Sequence, residues 1–152
     1  MKGGLTFLIL GFAFASISFA QAGASDPDLS GTWVDKSNSA LKYVFNEKGD
    51  KIQVQESDGD RMIANYSCNL SGSECAVKED GKPVKVMIYY NGAKLIEIRE
   101  RGNDVEKRRF SLGADGKTLV MEIIPLSSGG KTSTRTFQKQ AEQQSQVANS
   151  GV

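Results

Sequence analysis

The chain lacks histidine altogether, and it has few of the other side chains that catalytic and metal sites use. This absence excludes histidine general bases, histidine-based nucleophile triads and histidine metal ligands. There is also no glycine-rich phosphate loop, and no carboxylate pair is marked out by its spacing. We therefore expect no catalytic residue, no metal site and no cofactor, and we expect that the protein is not an enzyme.

Long hydrophobic runs are missing except at the N-terminus, where Leu5 to Ala20 is almost wholly apolar. Lys2 supplies a positive charge before the run, and Ala20-Gln21-Ala22 is an A-x-A cleavage site. This pattern predicts a signal peptide over residues 1–22, cleaved within Ala20–Ala24 and too short to span a bilayer comfortably. The alternative is an uncleaved anchor. The prediction places the mature protein outside the cytoplasm, in the periplasm or the extracellular medium, without stable membrane insertion.

An excess of one charge sign is missing too. The chain has 19 Lys and Arg against 18 Asp and Glu. Because Lys2 leaves with the signal peptide, the mature chain is formally neutral. A neutral, mixed surface argues against nucleic acid and anionic membrane as main partners, and we expect a monomer.

Cysteine occurs only twice, as Cys68 and Cys75. In an oxidising compartment a closely spaced pair favours a disulfide, and the spacing does not fit a C-x-x-C redox motif. The closed loop is about eight residues, for which loop entropy gives roughly 2.5 kcal/mol of stabilisation. We expect the bridge to hold a loop over residues 69–73, with only a short strand after it.

What the mature chain does have is turn signals about every ten residues, with no helical period between them. Its organising stretch is Val84 to Leu112, which reads as three strands joined by turns at Asn91-Gly92 and Gly102-Asn103. The pattern predicts an all-β antiparallel up-and-down meander of about eight to ten strands. Closure into a small barrel removes exposed edges and is favoured; the alternative is a β-sandwich. We assign residues 23–28 to a lead-in, 29–140 to the barrel and 141–152 to a disordered polar tail.

Two-residue turns in the organising stretch place opposite charges across the second hairpin. The predicted cross-strand pairs are Arg101–Asp104, Arg99–Glu106 and Glu97–Arg108, all on one face. If this face is outside, Arg109 and Lys107 point into the barrel among aliphatic neighbours. An inward Arg109 needs either an internal carboxylate, Glu100 or Glu122, or a bound anion. Exposure at the barrel end, or a bulge near Phe110, is the alternative, because Phe110 and Leu112 share the charged face in this register.

Two short motifs carry a family resemblance. Gly31-Thr32-Trp33 near the start and Arg135-Thr136-Phe137 near the end resemble the calycin superfamily, which includes lipocalins and fatty-acid-binding proteins. The chain also resembles small secreted bacterial lipocalin-like proteins through S-G-T-W, D-G-K turns and a closing R-x-[FY]-x-K-Q. The resemblance implies a lipocalin-like barrel over Leu29 to Gln140. In fatty-acid-binding proteins an R-x-Y motif holds the ligand carboxylate, but Phe137 has no hydroxyl to donate.

Trp33 and Arg135 also have a structural reading. A lone Trp near a strand start is most often a core plug, and an Arg stacked on it gains about 0.5–2 kcal/mol of cation–π energy. We expect this pair to close one end of the barrel and to leave a cavity open at the other.

Two functions fit these expectations. The first is a secreted lipocalin-like protein that binds a small apolar or amphipathic ligand inside the barrel, where adaptable methionines suit a variable ligand. The second is a protein-binding module or inhibitor that acts through loop tips, with a filled core and the disulfide-held loop as its presenting surface. The candidate ligand-binding residues are Arg109, Met62, Met87, Ile96, Ile98 and Met121.

Overall fold

The computed structural model describes residues 26–127 and 129–141. The predicted signal peptide lies outside these residues, and so does the predicted tail except for Ala141. The described residues contain no helix, and thus none that is long and apolar enough to cross a membrane. Their strands are β1 (Gly31–Asp35), β2 (Leu41–Lys48), β3 (Lys51–Asp58), β4 (Arg61–Asn69), β5 (Ser71–Glu79), β6 (Lys82–Asn91), β7 (Lys94–Arg101), β8 (Asp104–Leu112), β9 (Thr118–Pro125) and β10 (Ser133–Lys139).

The strands form one antiparallel meander in which each pairs with the next, and β1 pairs with β10 to close a barrel. The predicted all-β closed meander is therefore confirmed, and the sandwich alternative is wrong. In the closed barrel, alternate side chains of each strand point into the interior and to the outside.

The predicted register of the second hairpin is also confirmed. Arg101 pairs with Asp104, Arg99 with Glu106 and Glu97 with Arg108. The first hairpin differs, since its turn is Gly92-Ala93, with Asn91 paired to Lys94. Gly92 has a φ of 57°, which suits glycine at the first central position of a type II′ turn. The pairing moves by two residues, so the residues that were expected to share a face still share one.

The predicted disulfide-held loop is replaced by strand. Only Leu70 separates β4 from β5, and β5 runs over nine residues instead of a short stretch. The strand β5 was missed because its sequence is mostly polar. In the structure its side chains do not alternate regularly between buried and exposed positions. Cys68 and Cys75 form a disulfide with their Cα atoms 6.0 Å apart.

The two barrel ends differ. We call the end with the β5–β6, β7–β8 and β9–β10 connections the mouth, and the opposite end the floor. Beneath the floor, residues 26–30 run across the barrel, where the Tyr90 hydroxyl donates to the Pro27 carbonyl and the Leu29 amide donates to Glu47. Leu29 and Trp33 are fully buried there, so the floor is closed.

Candidate functional site

The charged pairs of β7 and β8 lie inside the barrel. Glu97, Arg99 and Arg108 are at most 7% exposed, which corrects the expectation that this face is outside. Phe110 shares their face and is 1% exposed. Leu95, which pairs with Phe110, is also fully buried, and burial of this pair favours the charged face as the inner one.

Glu56 of β3 is the hub of the buried charges. Its Oε2 accepts a hydrogen bond from Arg99 Nη1 at 3.0 Å and one from Arg108 Nη1 at 2.9 Å. Arg108 also donates to the Tyr43 hydroxyl at 2.6 Å and, through Nε, to Glu106 at 2.6 Å. These contacts join β2, β3, β7 and β8 across the barrel interior.

A second set of contacts extends the cluster toward the mouth. Arg101 donates two hydrogen bonds to Glu79, at 2.8 and 2.6 Å, in a bidentate pair. The same carboxylate lies 3.5 Å from Arg99 Nη2. We call the whole group the polar centre, and it comprises Tyr43, Glu56, Tyr66, Glu79, Glu97, Arg99, Arg101, Glu106 and Arg108.

Glu97 occupies the deepest carboxylate position of the polar centre. One of its oxygens, Oε1, accepts a hydrogen bond from the Tyr66 hydroxyl and lies 3.6 Å from Arg99 Nε. The other oxygen, Oε2, has no hydrogen-bond partner, and neither Arg99 Nε nor Arg99 Nη2 has one. The two Arg99 nitrogens remain within ion-pair distance of carboxylates, because Nε lies 3.6 Å from Glu97 and Nη2 lies 3.5 Å from Glu79.

Electrostatics keep the hub carboxylate ionised. Burial raises the pKa of Glu56, but the guanidiniums of Arg108 and Arg99 and the Tyr43 hydroxyl outweigh it and lower the pKa to about 2. Burial, followed by the Glu97 charge, raises the pKa of Tyr66 well above its ordinary value. Tyr66 is therefore a neutral hydrogen-bond donor to Glu97.

The polar centre carries a small negative excess. Its three guanidiniums face the four carboxylates of Glu56, Glu79, Glu97 and Glu106, which leaves one formal negative charge. Each guanidinium already contacts at least one of these carboxylates within 3.0 Å. No arginine of the cluster is left as a free cation for an incoming anion.

A cavity of about 550 Å³ lies at the mouth, between the β5–β6 and β7–β8 turns. Its walls include Glu79, Val84 and Arg101, whose side chains face the interior. A second cavity of about 350 Å³ lies on the other side of Arg101, toward Glu106 and Pro125. Both volumes fall in the range of small-molecule sites.

The floor half of the interior is filled by aromatic rings instead. Tyr43 stacks on Phe45 with the ring centroids 5.7 Å apart, and Phe110 meets both rings edge-on. Phe137 meets Tyr43 edge-on at 5.5 Å. The polar centre therefore separates a packed floor from an open mouth.

The predicted ligand-binding residues lie mostly elsewhere. Arg109 is on the outer face, where it forms a bidentate pair with Glu122, with Nη2 to Oε1 at 2.7 Å. This corrects its expected inward direction, although Glu122 was one of its two expected partners. Met87, Ile96 and Ile98 also lie on the outer face, because they alternate with the inward residues of β6 and β7. Ile96 is nevertheless 1% exposed, although it is not part of the core cluster inside the barrel. Met62 is 51% exposed, and only Met121 is inside, paired with Phe110.

Trp33 has a different cation from the expected one. The strands that carry Trp33 and Arg135 are hydrogen-bonded neighbours, but Lys139 is the residue whose Nζ lies 5.4 Å from the indole centroid. Arg135 instead donates to Asp35 at 3.1 Å. The pairing of Trp33 with Lys139 across the two strands explains the exchange, and the indole N–H donates to the Leu29 carbonyl at 2.8 Å.

The disulfide spans the weakest seam of the wall. β4 and β5 share one paired position, Ala64 with Glu79, whereas β3 and β4 pair over eight. Continuing the β4–β5 register would set Cys68 opposite Cys75. The bridge therefore takes the place of missing ladder hydrogen bonds.

Sequence reasoning missed several members of the polar centre, namely Tyr43, Glu56, Tyr66 and Glu79. All four come from β2 to β5, and three of them lie on one continuous register row that runs Glu79, Ala64, Glu56, Tyr43. The signal available was alternation, since Tyr43 and Glu56 share the inward face of their strands with Phe45 and Val54. Residues 26–127 and 129–141 contain no group of three or more Cys, Asp or Glu side chains placed to hold a metal ion.

No protein-family model matches the chain, and no curated protein matches its sequence. Solved structures do resemble its fold. A secreted abundant heat soluble (SAHS) protein from Ramazzottius varieornatus superposes with a TM-score of 0.63 at 13% identity, covering 78% of this chain and 98% of that one. Fatty-acid-binding protein 1 of Echinococcus granulosus gives 0.60 at 15% identity, covering 74% and 98%.

A third similar structure is the Schistosoma mansoni fatty-acid-binding protein in complex with arachidonic acid, with a TM-score of 0.57 at 18% identity, covering 74% of this chain and 96% of that one. The chain shares the closed antiparallel barrel fold of these proteins. At these identities the likeness concerns the fold, and the residues of the polar centre have to be read from this chain alone.

Proposed function

We propose that the protein binds a small amphipathic molecule inside its barrel, and that the ligand enters through the mouth. The observation that carries the proposal is the cavity of about 550 Å³ whose inner wall is formed by Glu79, Val84 and Arg101. Glu79 in turn contacts Arg99, so the inner wall of the cavity belongs to the polar centre. Five of the eight residues that line this cavity are charged, and Pro83 and Val84 supply its apolar surface, a combination that suits an amphipathic ligand.

The likeness to two fatty-acid-binding proteins supports the same proposal, because one of those structures holds arachidonic acid. The Cys68–Cys75 disulfide is in keeping with an exported carrier, since such bridges persist in oxidising compartments. Pro83 and Val84 line the cavity and offer contacts to the apolar part of a ligand.

Displacement of a neutral fluorescent probe, N-phenyl-1-naphthylamine, tests the proposal. The purified protein is expected to bind the probe, and lipids recovered by native mass spectrometry from the secreted or periplasmic protein are expected to displace it. Val84→Trp fills the mouth cavity and should weaken probe binding at least about tenfold, a change of about 1.4 kcal/mol. Val120→Trp on the outer face of β9 is the matched control and should leave binding unchanged.

Equal probe binding by both tryptophan variants, or no binding by the wild-type protein, would contradict the proposal. The second candidate function, a protein-binding module with a filled core, would then be favoured by the aromatic packing of the floor. Its presenting surface would have to be sought beyond residues 69–73, because only Leu70 lies between β4 and β5.

A further inference from the structure

Four charged side chains line the mouth cavity from four consecutive strands. They are Glu79, Lys82, Arg101 and Asp104, and each is the residue of its strand nearest the mouth. Glu79 is the cross-strand partner of Lys82, and Arg101 is the cross-strand partner of Asp104. Attraction between opposite charges on paired strands would join each residue to the partner in its own hairpin.

The ion pairs in the structure do not follow this pattern. The guanidinium of Arg101 crosses to the other hairpin and donates two hydrogen bonds to Glu79, at 2.8 and 2.6 Å. A bidentate pair of this kind is among the stronger contacts between charged side chains. Because Arg101 and Glu79 bind each other, each hairpin keeps one charge without its cross-strand partner. Neither Lys82 nor Asp104 takes part in an ion pair among residues 26–127 and 129–141.

The remaining charge on the cavity wall is compensated from outside the cavity. Asp80 lies 3.2 Å from Arg61, which is not among the lining residues. The cavity therefore presents one uncompensated cation, Lys82, and one uncompensated anion, Asp104. These two residues lie on β6 and β8, with β7 between them. Since neighbouring strands are about 4.8 Å apart, their backbones are separated by roughly 10 Å, and a ligand in the cavity can reach both side chains.

We propose that the ligand of this barrel carries a zwitterionic head group, with its anionic part at Lys82 and its cationic part at Asp104. This inference rests on the proposed function and specifies the ligand class. Pro83 and Val84 contact the apolar part of the ligand. A head group with a single charge is attracted by one of the two side chains and repelled by the other, so the cavity discriminates against it.

Three amphiphiles with the same decyl chain test the inference: decyl sulfobetaine, decyltrimethylammonium and decanesulfonate. Displacement of N-phenyl-1-naphthylamine at pH 7, below the micelle concentration of each amphiphile, gives their relative affinities. The sulfobetaine is expected to bind at least about fivefold more tightly than either singly charged ligand, which is the scale set by exposed ion pairs. Low ionic strength keeps the screening of these charges weak.

Two substitutions separate the contributions of the two charges. Lys82→Gln should reduce the preference for sulfobetaine over decyltrimethylammonium to about twofold or less, because the repelled cation is no longer repelled. The preference over decanesulfonate should remain, since Asp104 still repels the sulfonate. Asp104→Asn should give the opposite pattern. Both side chains are exposed, so both variants are expected to fold.

Matched substitutions on the outer face are the controls. Lys107→Gln on β8 and Glu122→Gln on β9 remove the same charges from side chains that line none of the mouth cavities. Both variants should keep the wild-type order of the three ligands. A change in that order in the control variants would show that net charge, and not the cavity wall, determines the preference, which would overturn the inference.

The other outcomes separate the two proposals. Equal or tighter binding of either singly charged ligand to the wild-type protein would overturn the head-group inference and leave the proposed function standing. A sulfobetaine preference that neither Lys82→Gln nor Asp104→Asn alters would also overturn the inference. So would failure of all three amphiphiles to displace a probe that does bind. Failure of the wild-type protein to bind the probe at all would overturn the proposed function itself.

Discussion

The two faces of β7 and β8 carry similar ion pairs in opposite surroundings. On the inner face, Arg99 is fully buried against Glu56, which belongs to a strand 43 residues away in sequence. On the outer face, Arg109 pairs with Glu122 of the adjacent strand, and their side chains are 33% and 29% exposed. Water screens the outer pair and cannot replace a lost partner on the inner face. An Arg–Glu ion pair is therefore expected to affect the free energy of unfolding much more on the inner face than on the outer face.

Removing one arginine from each face gives the largest expected contrast. Arg99→Met leaves the Glu56 and Glu97 charges undercompensated in the interior and should lower the free energy of unfolding by about 3–5 kcal/mol. Arg109→Met removes an exposed partner and should cost less than about 1 kcal/mol. Urea unfolding of both variants measures the difference. Similar losses would mean that the inner cluster is solvated.

The two-residue turn at Gly102-Asn103 was enough to predict the register of β7 and β8, but it could not predict which face points inward. Glu97–Arg108 and Arg99–Glu106 pair correctly whichever way the sheet curves, because cross-strand attraction is the same on either side. Direction depends on burial, and the sequence signal for it was Phe110 on the charged face. The general expectation that charges lie outside outweighed that signal.

The remaining parts of the site depend on contacts that no local pattern contains. Glu56 reaches Arg108 across 52 residues, and Tyr43 reaches it across 65. Only barrel closure brings these side chains together. Closure was predicted because it removes exposed sheet edges, but that argument does not give the strand offset that determines which side chains meet across the interior. The cation at Trp33 was wrong for the same reason. The strand offset places Lys139 beside the indole, and Lys139 lies four residues after the expected Arg135 on β10.

The next largest effect is expected in the pH dependence of stability, through the buried carboxylate of Glu56. The pKa of Glu56 is about 2 in the folded protein, below its ordinary value of 4.5. Its ionised form therefore contributes stability that is present above about pH 4.5 and is lost as the pH falls toward 2, amounting to about 3 kcal/mol. The stability of Glu56→Gln should fall by correspondingly less over this pH range. Glu100→Gln, on the outer face of β7, is the control and should keep the wild-type slope, and an equal slope for Glu56→Gln would contradict the account.

The inward disulfide should matter slightly less. Replacing both Cys68 and Cys75 with Ser removes a closed loop of about eight residues and should lower the free energy of unfolding by about 2.5 kcal/mol. Because β4 and β5 share a single paired position, amide exchange should quicken in these two strands before it does in β8 and β9. Uniform quickening across the barrel would show that the seam is not the weak point.

A matched pair of tyrosines gives the smallest contrast. Tyr66→Phe removes the hydroxyl that donates to Glu97 and leaves that carboxylate without its hydrogen bond, at a cost of about 1–3 kcal/mol. Tyr89→Phe, on the outward side of β6, should change the free energy of unfolding by no more than about 0.5 kcal/mol. Denaturant midpoints at constant slope are the measurement. A neutral effect of Tyr66→Phe would argue that Glu97 is not held in the interior.

The most direct measurement of the difference between the faces is a pair of double-mutant cycles, one for Glu56 with Arg99 and one for Glu122 with Arg109. Each cycle combines a Glu→Gln with an Arg→Met change and reports the coupling energy between the two side chains. The account predicts at least about 2 kcal/mol of coupling for the inner pair and less than about 1 kcal/mol for the outer pair. Equal coupling energies for the two pairs would contradict the claim that the polar centre is buried inside the barrel.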